Sequence, residues 1–312
     1  LATQIVTGPG SKSGPHVRTF TKNGKPSSGG FFAFAKTFKG GVRVAAGDVD
    51  GDGTDEIIVG SGPGGRSNVR VFEKNGNLKS IRYYPFGKSF TGGVDVAAAD
   101  TDGDGKAEIA VSQFTKGNQV IVYKYNDAKT VVGNFYAFGA KKKIGATVAM
   151  GDVDSDGDAE IVTGGGIGAG PQIRVFDPNG KVKPIQFFAF HKLSRSGVDV
   201  SVGDGDGDGK ADIVATQLRG AEAWTKVYKY NDEKTVIGEW RSFPAGVESG
   251  ANVEMFDLDG DGKAEVIVGA GPGGGPQVRT FKATGSLSGS VSFFAYYARV
   301  RSGVNVTVGR FE

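Results

Sequence analysis

One pattern constrains this chain more than any other. The string Asp-x-Asp-x-Asp-Gly occurs five times, beginning at Asp48, Asp100, Asp152, Asp204 and Asp257, so that successive copies stand 52, 52, 52 and 53 residues apart. A fixed period of this length marks an array in which each repeat is one supersecondary unit that buries its apolar face against the next. An alternating stretch precedes each loop, such as Val42-Arg43-Val44-Ala45-Ala46 or Val94-Asp95-Val96-Ala97-Ala98. A β-branched run follows it, such as Glu56-Ile57-Ile58-Val59. Next come a Gly-rich turn, a third apolar stretch (Val69-Arg70-Val71-Phe72), a polar turn (Lys74-Asn75-Gly76) and an aromatic fourth stretch (Gln186-Phe187-Phe188-Ala189-Phe190). No window has helical periodicity. The 53 glycines lie in clusters between the β-rich stretches, as turns do in an all-β protein.

Four short antiparallel strands per repeat describe one blade of a β-propeller. The sequence therefore predicts an all-β, six-bladed β-propeller as a single domain over residues 1–312. Complete blades fall at 40–91, 92–143, 144–195, 196–249 and 250–301. The sixth is split, with residues 1–39 supplying three strands and 302–312 the fourth, a 3+1 closure that removes two exposed sheet edges. The seam falls where a sixth loop would be, and Arg310 takes the place of its first Asp. A fragment of a seven-bladed ring is the alternative architecture. The chain starts at Leu1 rather than Met, which suggests a processed product or a domain excised from a larger protein, expected to be monomeric.

The loops carry the chemistry. Carboxylates occupy positions 1, 3, 5 and 9: Asp48, Asp50, Asp52 and Glu56; Asp100, Asp102, Asp104 and Glu108; Asp152, Asp154, Asp156 and Glu160; Asp204, Asp206, Asp208 and Asp212; Asp257, Asp259, Asp261 and Glu265. Carboxylates at alternate positions of a tight loop can turn to one centre, and the glycine at position 6 permits the bend. Thr54, Lys106, Asp158, Lys210 and Lys263 fill position 7, where such a loop offers its backbone carbonyl and the side chain is free to vary. An all-oxygen site with about four carboxylates suits Ca²⁺ better than Mg²⁺. Five calcium sites of a structural kind are expected. EF-hands are excluded, because position 12 is Val59, Val111, Thr163, Ala215 or Val268 inside a predicted strand, where an EF-hand needs a bidentate Glu.

The run Gly47-Asp48-Val49-Asp50-Gly51-Asp52-Gly53 followed by Glu56-Ile57-Ile58-Val59-Gly60 resembles the FG-GAP/VCBS repeat, which also builds the propeller of integrin α subunits. The resemblance covers essentially the whole chain as repeats. It implies structural metal loops, an extracellular setting and ligand binding on the face opposite the loops. The chain differs from integrin propellers in its shorter blades, its lack of cysteine and its count of six blades.

The five loops contain 22 of the 34 acidic residues, leaving 12 to face 37 Lys and Arg. One divalent cation per loop would raise the formal charge from +3 to +13, so a metal-loaded protein favours anionic partners. The turns opposite the loops carry Lys36, Lys39, Lys88, Lys141, Lys142, Lys143, Lys192, Arg195, Arg299 and Arg301, with Glu248 as the exception. They suggest a surface for an acidic polysaccharide or a protein, or merely a solubilising rim. Trp224 and Trp240, in the blade that begins near Ser196, could stack on a sugar or pack between blades. That blade and the one at Gly92 replace the Gly-rich turn with Gln217-Leu218-Arg219-Gly220 and Gln113-Phe114-Thr115-Lys116, which marks them as candidates for a specialised ligand. Arg43, Asp95, Thr147, Asp199, Asn252 and Asn305 align on the first strands and would either line the channel mouth for a polar ligand or bridge blades. The Phe-Phe-Ala-Phe strands are read as core.

Cysteine is absent, which excludes disulfides and thiolate metal sites and points to a prokaryotic surface protein. With two histidines and no cysteine, a nucleophile–base pair is hard to assemble, so an enzyme is not expected. Nucleic-acid binding is not expected either, for want of a motif pairing charge with exposed aromatics. No apolar run is long enough for membrane insertion. The leading reading is a calcium-stabilised extracellular adhesion or recognition module. The alternative is a lectin or carbohydrate-active enzyme domain that uses the face opposite the loops.

Overall fold

A computed structural model describes residues 1–27, 29–231 and 234–312. Its 24 strands form six four-stranded antiparallel sheets, and the described residues contain no helix. The N-terminus supplies β1 (Ala2–Pro9), β2 (His16–Thr21) and β3 (Phe31–Phe32). The next sheet holds β4 (Val42–Gly47), β5 (Glu56–Ser61), β6 (Val69–Phe72) and β7 (Leu78–Tyr83), followed by β8 (Val94–Ala99), β9 (Glu108–Gln113), β10 (Gln119–Tyr123) and β11 (Val131–Tyr136). Then come β12 (Ala146–Gly151), β13 (Glu160–Gly165), β14 (Gln172–Phe176) and β15 (Val182–Phe188), and after them β16 (Val198–Gly203), β17 (Asp212–Gln217), β18 (Trp224–Tyr228) and β19 (Val236–Arg241). The last complete sheet is β20 (Ala251–Phe256), β21 (Glu265–Ala270), β22 (Gln277–Phe281) and β23 (Leu287–Phe294).

The final strand, β24 (Val304–Phe311), pairs antiparallel with β1 over eight positions, from Ala2 opposite Phe311 to Pro9 opposite Val304. The split blade thus runs β24-β1-β2-β3. Neighbouring first strands touch in a closed cycle, β4 to β8, β12, β16, β20, β24 and back to β4. The ring has six blades and closes in the 3+1 manner the sequence predicts.

The core is divided into six clusters, each filling the gap between two adjacent blades. Val6, Val17 and Ala33 of the split blade, for example, pack on Val42, Ile57, Val59 and Phe72 of the next. One aromatic pair crosses every gap from a fourth strand to the following third strand: Phe31–Phe72, Tyr83–Tyr123, Phe135–Phe176, Phe187–Tyr228, Trp240–Phe281 and Phe293–Phe20, with centroids 4.6–5.4 Å apart. Such tilted pairs add about 0.5–1.5 kcal/mol each beyond their buried area. Trp240 therefore serves packing between blades.

The Phe-Phe-Ala-Phe segments are only partly core. Phe31, Phe187 and Phe293 face the next blade and the alanine is buried, but Phe32, Phe188 and Phe294 project outward on the alternate face of the strand.

Candidate functional site

Each acidic loop is the hairpin between the first and second strands of a blade, so all five emerge on one face of the ring. The position-1 carboxylate organises the hairpin by accepting backbone N–H groups. Asp48 accepts from Gly51 and Gly53 at 2.7 and 2.8 Å, and Asp204 from Gly207 and Gly209 at 2.7 and 2.8 Å. Gly51 and Gly53 have φ of 79° and 89°, in the left-handed region that glycine enters freely. The third loop has Ser155 at the first of these positions with φ 64°.

The position-9 carboxylate is buried in every loop and splits its two oxygens between two tasks. One oxygen accepts the N–H of loop position 2, from Val49, Thr101, Val153, Gly205 or Leu258, at 2.9–3.1 Å. The other takes no loop N–H: a lysine ammonium lies 3.0–3.7 Å from it in the first three loops, and the Ser288 hydroxyl 3.3 Å from it in the fifth. Ligand oxygens of positions 1, 3 and 9 lie within 4.8 Å of one another in all five loops: Asp48, Asp50 and Glu56; Asp100, Asp102 and Glu108; Asp152, Asp154 and Glu160; Asp204, Asp206 and Asp212; Asp257, Asp259 and Glu265. The predicted fourth carboxylates, Asp52, Asp104, Asp156, Asp208 and Asp261, stand outside these triads. Each accepts the N–H of position 7, from Thr54, Lys106, Asp158, Lys210 or Lys263, at 2.8–3.1 Å. The position-7 residues thus enter the loop through their N–H groups.

The donor set fits a hard divalent cation. Asp50 Oδ1 and Glu56 Oε1 are buried with no hydrogen-bond partner, although Lys79 Nζ lies 3.1 Å from the latter as an ion pair. Burial pushes Glu56 up to about 7 in spite of Lys79, and Asp212 to about 7 in spite of the Gly205 N–H. It raises Glu160 and Glu265 in the same direction. A cation at the centre of each triad would reverse this penalty and hold the carboxylates ionised.

Spacing along the chain did not disclose that four triads already hold an ammonium group. Lys79 reaches Asp50, Glu56 and Glu73, and Lys183 reaches Asp154, Glu160 and Asp177. Both lysines stand second on a fourth strand. Lys124 pairs with Asp102 and Asp104 at 2.5 and 3.0 Å, and Lys229 with Asp206 and Asp208 at 2.5 and 2.6 Å, from the turn that follows the third strand. The fifth triad differs. Ser288 stands where Lys79 and Lys183 stand, and its hydroxyl lies 3.3 Å from Glu265 Oε1. Among the described residues no lysine pairs with Asp257, Asp259 or Glu265.

The aligned first-strand residues bridge blades across the axis. Arg43 Nε donates to Asp95 at 2.5 Å, Nη2 to Asp199 at 2.7 Å, and Nη1 to Asn252 and Asn305 at 2.7 and 3.0 Å. Burial disfavours the guanidinium charge, but Asp199 and Asp95 outweigh this and raise the Arg43 pKa. Phe114 covers the guanidinium at 4.9 Å, and Leu218 is buried beside it. The two turns singled out at Phe114 and Leu218 therefore seal the axis.

On the opposite face Lys36, Lys39, Lys88, Lys141, Lys142, Lys143, Lys192, Arg195, Arg299 and Arg301 are all exposed. Beside them stand Phe32, Tyr84, Tyr136, Phe188 and Phe294, at the outer end of five fourth strands and 39–50% exposed. Lys36 lies 4.9 Å over Phe32 and Lys88 5.4 Å over Tyr84, the pairing of charge and aromatic that no motif signalled. The blade of β16 to β19 interrupts the series. Arg241 replaces the aromatic, stacks on the half-exposed Trp224 at 5.3 Å and pairs with Glu222 at 3.3 Å.

No curated protein matches the sequence. Among solved structures, the exotype rhamnogalacturonan lyase YesX is 14% identical, with 92% of this chain and 53% of that one covered at a TM-score of 0.41. The Bacillus licheniformis rhamnogalacturonan lyase PL11 is 16% identical, covering 91% and 55% at 0.33. The Dos1 propeller is 12% identical, covering 96% and 76% at 0.49. The chain spans about half the length of the two lyases, and none of these likenesses carries over an activity. The FG-GAP-like repeat is matched at residues 48–111, 152–215 and 204–268. These segments cover more than half of the chain and contain all five acidic loops whole with the start of the second strand after each, so the chain belongs to the FG-GAP-like repeat family.

Proposed function

We propose that this propeller is a calcium-stabilised extracellular binding module that takes an anionic polysaccharide on the face opposite its loops. The observation that carries the reading is the segregation of charge. Carboxylates cluster in five triads on one face, while the other presents exposed lysines and arginines beside five exposed aromatic rings. An aromatic ring stacks on a sugar, and a neighbouring ammonium pairs with a uronate or sulfate. The triads supply the mechanical part. Bound calcium would neutralise each one and clamp a first strand to the second strand of its blade, adding to stability by mass action. The lysines that part-neutralise four of the sites would weaken their calcium binding, toward the range of about 10⁻⁴–10⁻³ M that serves extracellular modules. This supports a cell-surface setting, which we place in a prokaryote because the chain lacks cysteine.

The test is binding of hyaluronan against neutral dextran in millimolar calcium. The reading expects hyaluronan to bind with strong salt dependence and Phe188→Ala with Lys192→Ala to weaken it together. Equal retention of dextran would move the assignment to the second reading, a lectin, which the exposed rings also favour. Cleavage of either polymer would replace the non-enzymatic reading.

A further inference from the structure

The first strands enclose an axial well of about 440 Å³ that opens among the acidic loops and is floored by Arg43 with Asp95 and Asp199. Its size falls within the range of small-molecule sites. Strand alternation sets its layers: Asn252, Glu254 and Phe256 follow one another up the same face of β20 from floor to mouth.

Glu254 is the anomaly. Strand pairing places Ala45, Ala97, Ala149, Ser201 and Thr307 at its level in the other blades, so the repeat fold has no need of an acid there. Its carboxylate takes hydrogen bonds from the Ser201 hydroxyl at 2.8 Å, from Thr307 and, more weakly at 3.3 Å, from the Met255 N–H, which also donates to Ser201 Oγ at 3.0 Å; among the described residues it has no ion-pair partner. The well as a whole is in deficit: Asp48, Asp55 and Asp100 at the mouth with Asp95, Asp199 and Glu254 below contribute six carboxylates against Arg310 and Arg43, and the second oxygens of Asp95 and Asp199 are already held by the N–H groups of Val148 and Val253. A desolvated carboxylate that packing does not require, facing an open cavity, marks a ligand site.

We propose that the well binds a small organic cation carrying a primary ammonium group, with Glu254 as its counter-charge and the Ser201 and Thr307 hydroxyls as further partners. One carboxylate with two hydroxyls is too poor a set for a divalent metal, which takes six or more oxygens. It matches an ammonium with three donors. Ala45, Ala97, Ala149 and Phe256 offer an apolar wall for the alkyl part. The site is independent of the polysaccharide reading and lies on the other face.

The experiment is calorimetric titration of the calcium-saturated protein with cadaverine, with 1-pentanol as the uncharged control. The proposal expects one cadaverine per chain and no heat from pentanol. Glu254→Gln should weaken cadaverine roughly tenfold or more, the loss of one good charge pair. Glu254→Ala places in this blade the residue three others already have there. It should fold with at least the thermal stability of the parent and lose the ligand equally. No saturable binding by the parent protein, equal binding by Glu254→Gln, or binding that calcium competes away would each overturn the proposal.

Discussion

Replacing Arg43 by Met removes one side chain and strands two carboxylates. In the folded protein Arg43 joins its own blade to those of Asp95, Asp199, Asn252 and Asn305 through four donors at 2.5–3.0 Å. The guanidinium and both acids are buried, with side-chain exposures of 10%, 3% and 4%. Burying the ions costs nearly what their attraction returns, so the intact cluster adds little net stability over an apolar substitute. Breaking it is different, because an uncompensated buried charge costs about 3–5 kcal/mol. Arg43→Met is therefore expected to lose about 4 kcal/mol by urea unfolding at pH 8 in saturating calcium. The loss should shrink toward pH 5, since Asp199, already lifted by desolvation against the pull of Arg43, would take up a proton once Arg43 is gone. The combined variant Arg43→Met, Asp95→Asn, Asp199→Asn should regain most of the loss. A single variant within about 1 kcal/mol of the parent at pH 8, or a triple variant no better than the single, would refute the axial clamp.

Three further outcomes follow from single side chains. Lys183→Met should make calcium binding at the third loop about tenfold tighter by calorimetry and the calcium-free protein less stable, because the ammonium that competes for Asp154 and Glu160 is gone. In the parent protein, the Asp257 loop should fill first, and unchanged affinity in Lys183→Met would show that the lysine does not compete. Ser155→Gly should raise stability by roughly 1 kcal/mol, since only this loop puts a side chain at a φ of 64° that glycine takes without strain; chemical unfolding showing a loss would contradict this. Burial lifts Glu254 from 4.5 to about 7. An acid raised on folding contributes stability as its neutral form, complete below its unfolded value and lost as pH rises through about 7. The parent should thus lose about 3 kcal/mol relative to Glu254→Gln between those pH values, measured by urea unfolding in calcium; parallel curves would exclude it.

The fold was legible because the loop recurs in register. The 52-residue spacing, the strand order and the complementary termini, with Arg310 in place of a sixth loop, were enough to place the closure between β1 and β24. The triads were half legible. Positions 1, 3 and 9 converge, while position 5 gives one oxygen to the N–H of position 7 and, in Asp104 and Asp208, shares a lysine with position 3 through the other, a division that spacing does not encode. Lys79 reaches its triad from a fourth strand and Lys124 from the turn after a third, so no single motif could reveal them. Phenylalanines two apart in a Phe-Phe-Ala-Phe strand suggest one filled core face, yet Phe187 and the buried Ala189 take that face, and the two-residue period sends Phe188 outward. Glu254 stood in plain view as the odd member of its level, but its meaning depends on the well around it.

Thermal unfolding with and without calcium, joined to a count of bound ions, tests the central claim most directly. Calcium held at about a hundredfold over the dissociation constant adds about 2.7 kcal/mol per site. The account predicts five calcium ions per chain at saturation and a large fall in melting temperature with EDTA. A melting temperature indifferent to EDTA, with no saturable calcium uptake, would contradict it.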